Sequence, residues 1–291
     1  MTYVITGASG TLGRQVAADV LDRVDPADVV LVTRDPAKLT EFADRGAQVR
    51  AGDFNDPSSL ESAFAGGDRL LLISTDNLGS RVEQHRAAIN AAKAAGVGFI
   101  AYTSIPNPVE ENPVGVNREH RETEELIEAS GIDHTFLRNS VYTEMDVPAA
   151  QGAVATGKFV TNRGDGLIAF VSRADCARAA AAVLTADGPL ESVYDTTGPE
   201  LVSANDLASV FAGIAGKEIE VVQVDDEATV AGLIEHGVTA EAAPVYASFG
   251  QGIREGHLEV VSDSVEKLTG RRPESVKSVI ERELQGVSSP E

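Results

Sequence analysis

Tyr3-Val4-Ile5-Thr6-Gly7-Ala8-Ser9-Gly10-Thr11-Leu12-Gly13-Arg14 is a short apolar run, then three glycines spaced G-x-x-G-x-x-G, then a segment suited to a helix. A dinucleotide diphosphate needs that order. Glycines let the backbone turn tightly and come close to the diphosphate, and amides at the following helix N-terminus face its charge. Glycine spacing alone is weak in a chain with 27 glycines. The flanking strand and helix give the motif its meaning, against the plain alternative of an ordinary strand-to-helix turn.

Outward from this motif, strands and helices alternate. Short apolar runs at residues 29–32, 48–51, 70–73, 99–103 and 134–137 read as parallel strands covered on both faces. Asp35-Pro36 and Asp56-Pro57 each place an N-cap acid before a proline at the first helical position. Helical segments at 84–95 and 117–130 end at Gly96 and Gly131. The fold class is therefore α/β, a Rossmann-type doubly wound parallel sheet, with residues 1–140 as the NADP-binding domain. Residues 141–286 are expected to be mainly a small α/β substrate lobe with segments returning to the main domain. Ser172 caps a helix over 173–186, strands lie near 192–196 and 218–224, and helices cover 203–215, 227–236, 240–256 and 275–284. The tail 287–291 is expected to be disordered.

Bulk properties narrow the function. The formal charge is −21, from 45 acidic and 24 basic residues. Such a surface repels nucleic acid and anionic membranes. No run of about 18 apolar residues occurs, so no membrane span is expected. The first strand begins so early that a signal peptide has no room. Cys176 is the only cysteine, which leaves no intrachain disulfide or cysteine metal cluster and suits the cytoplasm. His85, His134, His236 and His257 show no metal-ligand spacing. The oligomeric state is left open.

The second strand ends Val32-Thr33-Arg34-Asp35. An acid at the strand end would accept from a free ribose hydroxyl, whereas Arg34 pairs with a 2′-phosphate, so NADPH is favoured over NADH. Asp35 is free to cap the next helix at the same time. Asp53-Phe54 follows the third strand, where a carboxylate can accept from the adenine amino group and a ring can pack on the base. Ser74-Thr75 and Thr103-Ser104 end the fourth and fifth strands at the ligand-binding edge.

Thr6-Gly7-Ala8-Ser9-Gly10-Thr11-Leu12-Gly13, Gln84-His85-Arg86 with Ile89-Asn90-Ala91-Ala92-Lys93-Ala94-Ala95-Gly96-Val97, Phe99-Ile100-Ala101-Tyr102-Thr103-Ser104 and Thr135-Phe136-Leu137-Arg138-Asn139-Ser140-Val141-Tyr142 carry a resemblance. With Gly164-Asp165-Gly166 ahead of Ser172-Arg173-Ala174-Asp175, they resemble the NmrA-like atypical short-chain dehydrogenases along essentially the whole chain. The resemblance implies NADPH held by Gly7, Ala8, Ser9, Gly10, Thr11, Leu12 and Arg34. It places Asn139, Ser140 and Tyr142 near the nicotinamide and the substrate pocket. His120 stands where many relatives carry lysine.

Ordinary members of the wider superfamily reduce ketones with a Tyr-x-x-x-Lys pair, the lysine lowering the tyrosine's pKa. Here the residues four after Tyr3, Tyr102, Tyr142, Tyr194 and Tyr246 are Gly7, Pro106, Asp146, Gly198 and Gly250. A simple ketone would become a strongly basic alkoxide that needs a proton at once. A quinone yields a resonance-stabilised hydroquinone anion, and a cationic triarylmethane dye becomes neutral. The expected acceptor is thus a quinone or a similar electrophilic planar aromatic. Ser104, His120 and Tyr142 are the candidate catalytic side chains: Ser104 to orient a carbonyl, His120 as a proton donor near neutral pH, Tyr142 to stack or donate. Strand-end capping, a structural or helix-surface histidine and a packing tyrosine are the plain alternatives. The alternative function is a non-catalytic NADP(H)-sensing regulatory protein.

Overall fold

The computed structural model describes residues 1–287. Along the first half run β1 (Tyr3–Ile5), α1 (Thr11–Leu21), β2 (Val29–Thr33), α2 (Thr40–Asp44), β3 (Gln48–Ala51), α3 (Pro57–Phe64), β4 (Arg69–Leu72), α4 (Arg81–Ala95), β5 (Phe99–Ser104), α5 (Asn117–Ser130) and β6 (Asp133–Asn139). There follow α6 (Val147–Thr156), β7 (Lys158–Thr161), α7 (Arg173–Leu184), β8 (Val193–Thr196), α8 (Ala204–Ala215), β9 (Glu220–Gln223), α9 (Asp226–Glu235), α10 (Ala243–Arg254), α11 (Ser264–Thr269) and α12 (Val276–Val287).

Seven strands form one parallel sheet in the order β3-β2-β1-β4-β5-β6-β8. The order reverses between β1 and β4, which opens a crevice at their carboxyl ends. Alternate side chains supply two cores. Ile5, Val29, Leu31, Leu71, Ala101 and Leu137 face α1 and α7, whereas Val4, Val30, Leu70, Leu72, Ile100 and Phe136 face α3, α4 and α5. This period of two, with both faces apolar, produces the near-continuous hydrophobic runs of the sequence. Each fully buried large apolar side chain contributes about 1.5–3 kcal/mol.

A third core lies in the second half. β7 and β9 form a separate parallel pair. Phe159 of β7 meets Phe211 of α8 edge-on at 5.2 Å, and Ile253 and Ile280 join the same cluster from α10 and α12. β8 and α7 lie with the large sheet, β8 beside β6 and α7 against α1.

The start and stop signals work unevenly. α4 and α5 end at Gly96 and Gly131, and Ser172 accepts from the Asp175 N–H to cap α7. Asp35 accepts from the Ala37 N–H at 3.1 Å, but the turn it caps is 3-10, over Pro36–Leu39. Asp56 makes no backbone cap, because its carboxylate accepts from the Ser58 hydroxyl at 2.7 Å. α6, β7 and α11 are additions to the sequence reading. α12 continues through Val287, the first residue of the expected tail, and the rest of that tail lies outside the described residues. Among the described residues no helix is long and apolar enough to cross a membrane.

Candidate active site

Two adjoining cavities occupy the carboxyl edge of the sheet. The first, a groove of about 310 Å³, runs past the glycine turn, the end of β2 with Arg34, the Asp53-Phe54 corner and the loop after β4. The second, about 450 Å³, lies beyond that loop, between the ends of β5 and β6 and the inner side of α10. Ser74, Thr75 and Asp76 border both.

The glycine turn is built for close approach. Gly7 has φ +60, a region costly for side-chain-bearing residues. A Cβ on Gly13 would stand 2.2 Å from the Gly7 carbonyl oxygen and 2.8 Å from the Ala8 Cα, so α1 packs against the turn only with glycine there. Gly10 caps α1 without any side chain satisfying the helix's first N–H groups. Those amides and the helix dipole therefore fit a diphosphate. Thr33 donates to the Ser9 hydroxyl at 2.9 Å and fixes the turn against β2.

Gly7, Ser9, Gly10, Thr11, Leu12, Arg34, Asp53, Phe54, Ser74 and Thr75 all border the groove. Ala8 does not: it is packed in the core, and its N–H donates to the Val32 carbonyl. Arg34 is exposed and has no ion pair among the described residues, which leaves its guanidinium available. Asp53 accepts from the Asn55 N–H at 2.9 Å, turning the chain at this corner.

Thr103, Ser104, His120, Asn139, Ser140 and Tyr142 border the second cavity. Thr103 accepts from the Ser74 N–H at 2.8 Å, tying β5 to the loop after β4. Asn139 donates to the Tyr142 hydroxyl at 3.3 Å and accepts from Thr196, so it acts here as a brace. Burial pushes the Tyr142 phenol well above its usual range, and the Arg173 guanidinium lies 5.3 Å from its ring centre. Ser104 and Ser140 are buried, and their hydroxyls have no protein partner. The strand-end cap weighed for Ser104 is thus absent.

His120 requires a correction. It is buried, with Nδ1 2.8 Å from the Tyr102 hydroxyl. Desolvation, with Arg81 and His85 nearby, holds its pKa well below the ordinary histidine value. Both effects work against a charged imidazolium, the proton donor expected from the sequence.

Sequence reasoning named Ser74 and Thr75 but missed the rest of the loop, 76–80, and what holds it. Thr75 is gripped three ways: its N–H donates to His85 Nε2 at 3.1 Å, its hydroxyl to Gln84 at 2.8 Å, and its carbonyl accepts from Arg81 Nε at 2.6 Å. Glu119 accepts from the Gly79 N–H at 2.9 Å and lies 3.4 Å from Arg81, a buried ion pair. Burial, reinforced by Arg81, pushes the His85 pKa down to about 3, so its ring is neutral. Gln84 and His85 sat inside a quoted motif, but nothing in their spacing tells which backbone they would hold. Also missed were Val245, Tyr246 and Phe249 of α10, with Met145 and Leu78, which give the second cavity its apolar wall.

A model of a family described as NAD(P)H-binding matches residues 7–187. This chain belongs to the NAD(P)H-binding family. The matched stretch contains every groove residue named above. The chain is also 38% identical over 266 residues to quinone oxidoreductase 2 of Escherichia coli strain K12, covering 91% of this chain and 93% of that one. The crystal structure of the E. coli NADPH-dependent quinone oxidoreductase complexed with NADPH superposes with a TM-score of 0.93 at 36% identity, covering 97% of this chain and all of the other. Triphenylmethane reductase of Citrobacter sp. gives 0.91 at 32%, covering 98% of this chain and all of the other. The NmrA-like resemblance extends to a domain-containing oxidoreductase of that name from Aspergillus flavus, 29% identical over 282 residues, 94% of this chain and 92% of that one.

Proposed function

We propose that the chain is an NADPH-dependent oxidoreductase that reduces quinones or similarly flat, electrophilic acceptors. The observation that carries this reading is the shared border of Ser74, Thr75 and Asp76: the nucleotide groove opens into a second cavity with an apolar wall. Bound in the groove, NADPH supplies a hydride, becoming NADP⁺, and that hydride with a proton from water converts a quinone to its hydroquinone.

The chain's own contribution is binding and orientation. The amides at the start of α1 hold the diphosphate, and Arg34 holds the 2′-phosphate. Phe54 and Asp53 flank the adenine end. The clamped loop 74–80 separates and joins the two ligands, so its fixed position sets their relative placement. Leu78 and Tyr246, 41% and 48% exposed, form an apolar rim that favours a flat ring over a charged polar substrate. No Tyr-x-x-x-Lys pair is present to protonate an alkoxide, which disfavours simple ketones.

The test is NADPH oxidation, followed at the nicotinamide absorbance, with benzoquinones, naphthoquinones, azo compounds and triarylmethane dyes. Turnover of quinones above the protein-free rate supports the reading. Tight NADPH binding with no oxidation by any acceptor would instead mark an NADP(H) sensor.

A further inference from the structure

Behind Thr75 and His120, which border the second cavity, lies a buried polar chain whose proton positions follow from its geometry. At one end the Thr75 N–H donates to His85 Nε2, so that nitrogen has no proton and the neutral ring carries its proton on Nδ1. That proton goes to the Thr123 hydroxyl at 3.0 Å, and Thr123 donates its own to the Glu119 carbonyl at 2.7 Å. At the other end the fully buried Tyr102 hydroxyl lies 2.8 Å from His120 Nδ1, with the Thr123 hydroxyl as its second neighbour. Thr123 already receives the His85 proton and gives its own to the Glu119 carbonyl, so the Tyr102 proton goes to His120. His120 Nδ1 is therefore an acceptor, and its proton sits on Nε2.

His120 Nε2 has no protein partner among the described residues, and His120 borders the second cavity. Ser104 and Ser140, whose buried hydroxyls have no partner among the described residues, border it too. A hydroxyl can rotate to donate or accept; an imidazole whose Nδ1 already receives a proton can only donate. Arg81 also borders the cavity; its Nε donates to the Thr75 carbonyl, and its Nη1 lies 3.4 Å from Glu119 without a hydrogen bond, so its charge is paired within the clamp of the loop.

We propose that His120, locked by Tyr102 as the Nε2–H tautomer, is the fixed hydrogen-bond donor to the acceptor oxygen on which negative charge develops, with Ser104 and Ser140 beside it. The proposal deepens the reductase reading and rests on it. His120 is then a catalytic residue that stabilises an oxyanion without giving up its proton, as a neutral histidine can. The hydroquinone monoanion leaves or is protonated by water. Tyr102 is a positioning residue, acting through the tautomer it imposes.

Two measurements test this. In protein labelled with ¹⁵N-histidine, two-bond proton–nitrogen correlations distinguish the tautomers, and the His120 signal is the one lost in His120→Gln. The expected pattern is protonated Nε2 and bare Nδ1, with the Nε2 resonance shifting as 4-nitrophenol is titrated in. Tyr102→Phe should turn this signal into a tautomer mixture. A protonated Nδ1 in the parent, or no response to the phenol, would overturn the proposal. In turnover, His120→Leu should lower the ratio of the 1,4-naphthoquinone rate to the crystal violet rate at least tenfold, because a cationic dye develops no anion. His120→Gln, which keeps an N–H donor, should restore much of the ratio. An unchanged ratio would overturn the proposal. Should the parent protein reduce neither acceptor, the reductase reading fails, and the phenol titration still decides whether His120 donates into the cavity.

Discussion

Arg34→Ala separates recognition of the 2′-phosphate from every other contact with the nucleotide. Arg34 follows β2, borders the groove and has no carboxylate partner among the described residues, the adjacent Asp35 being engaged with the Ala37 N–H. Hydrogen bonds to charged groups contribute about 1.5–3 kcal/mol. Arg34 is exposed, so water and salt screen it, and the lower end of that range applies. A loss of about 1.4 kcal/mol is a tenfold weaker Kd. The net charge of −21 offers little background attraction to compensate. Titration calorimetry at low salt should show NADPH binding about tenfold weaker in the variant and NADH binding nearly unchanged. Added salt should weaken NADPH binding to the parent more than to the variant. An equal loss for NADH would mean that Arg34 shapes the groove and does not read the phosphate, and equal parental affinity for both nucleotides would refute the reasoning outright.

Gly13→Ala puts a methyl 2.2 Å from the Gly7 carbonyl oxygen; backbone must move, and we expect a lower melting temperature together with loss of nucleotide binding in calorimetry, whereas unchanged binding would show that the turn is loosely held. Glu119→Leu leaves Arg81 buried without its partner, which should cost about 3–5 kcal/mol in urea unfolding; a cost under about 1 kcal/mol would mean that water reaches the pair. His85 is held neutral with a folded pKa of about 3, below its unfolded value, so the stability it contributes is complete above about pH 6.5 and is lost as pH falls towards 3. Unfolding free energies between pH 6.5 and 4.5 should fall less steeply in His85→Gln than in the parent, by about 1.4 kcal/mol per pH unit, and identical slopes would contradict the assignment.

The parallel sheet was legible because buried strands must be apolar on both faces, and the runs at 29–32, 70–73 and 99–103 have no polar alternation. The nucleotide groove was legible for a related reason: a backbone that approaches a diphosphate requires glycines at fixed spacing. β7 was hidden because it is a four-residue strand that pairs only with the distant β9. The second cavity was harder to read, since its wall comes from α10, some 140 residues beyond β5. His120 illustrates the difficulty. Its sequence neighbours are charged, Glu119 and Arg121, and suggest a solvated helix face, but tertiary packing buries it against Tyr102 and lowers its pKa. Spacing also gave no warning that Asn139 and Asp56 would be used up by local partners, Tyr142 and Ser58.

The most direct test is a single-turnover experiment in which protein preloaded with one equivalent of NADPH is mixed rapidly with 1,4-naphthoquinone. The nicotinamide absorbance should disappear in one fast exponential phase, with one hydroquinone formed per nucleotide and a rate that saturates with quinone concentration. A bound NADPH whose absorbance decays no faster than free NADPH would contradict the account.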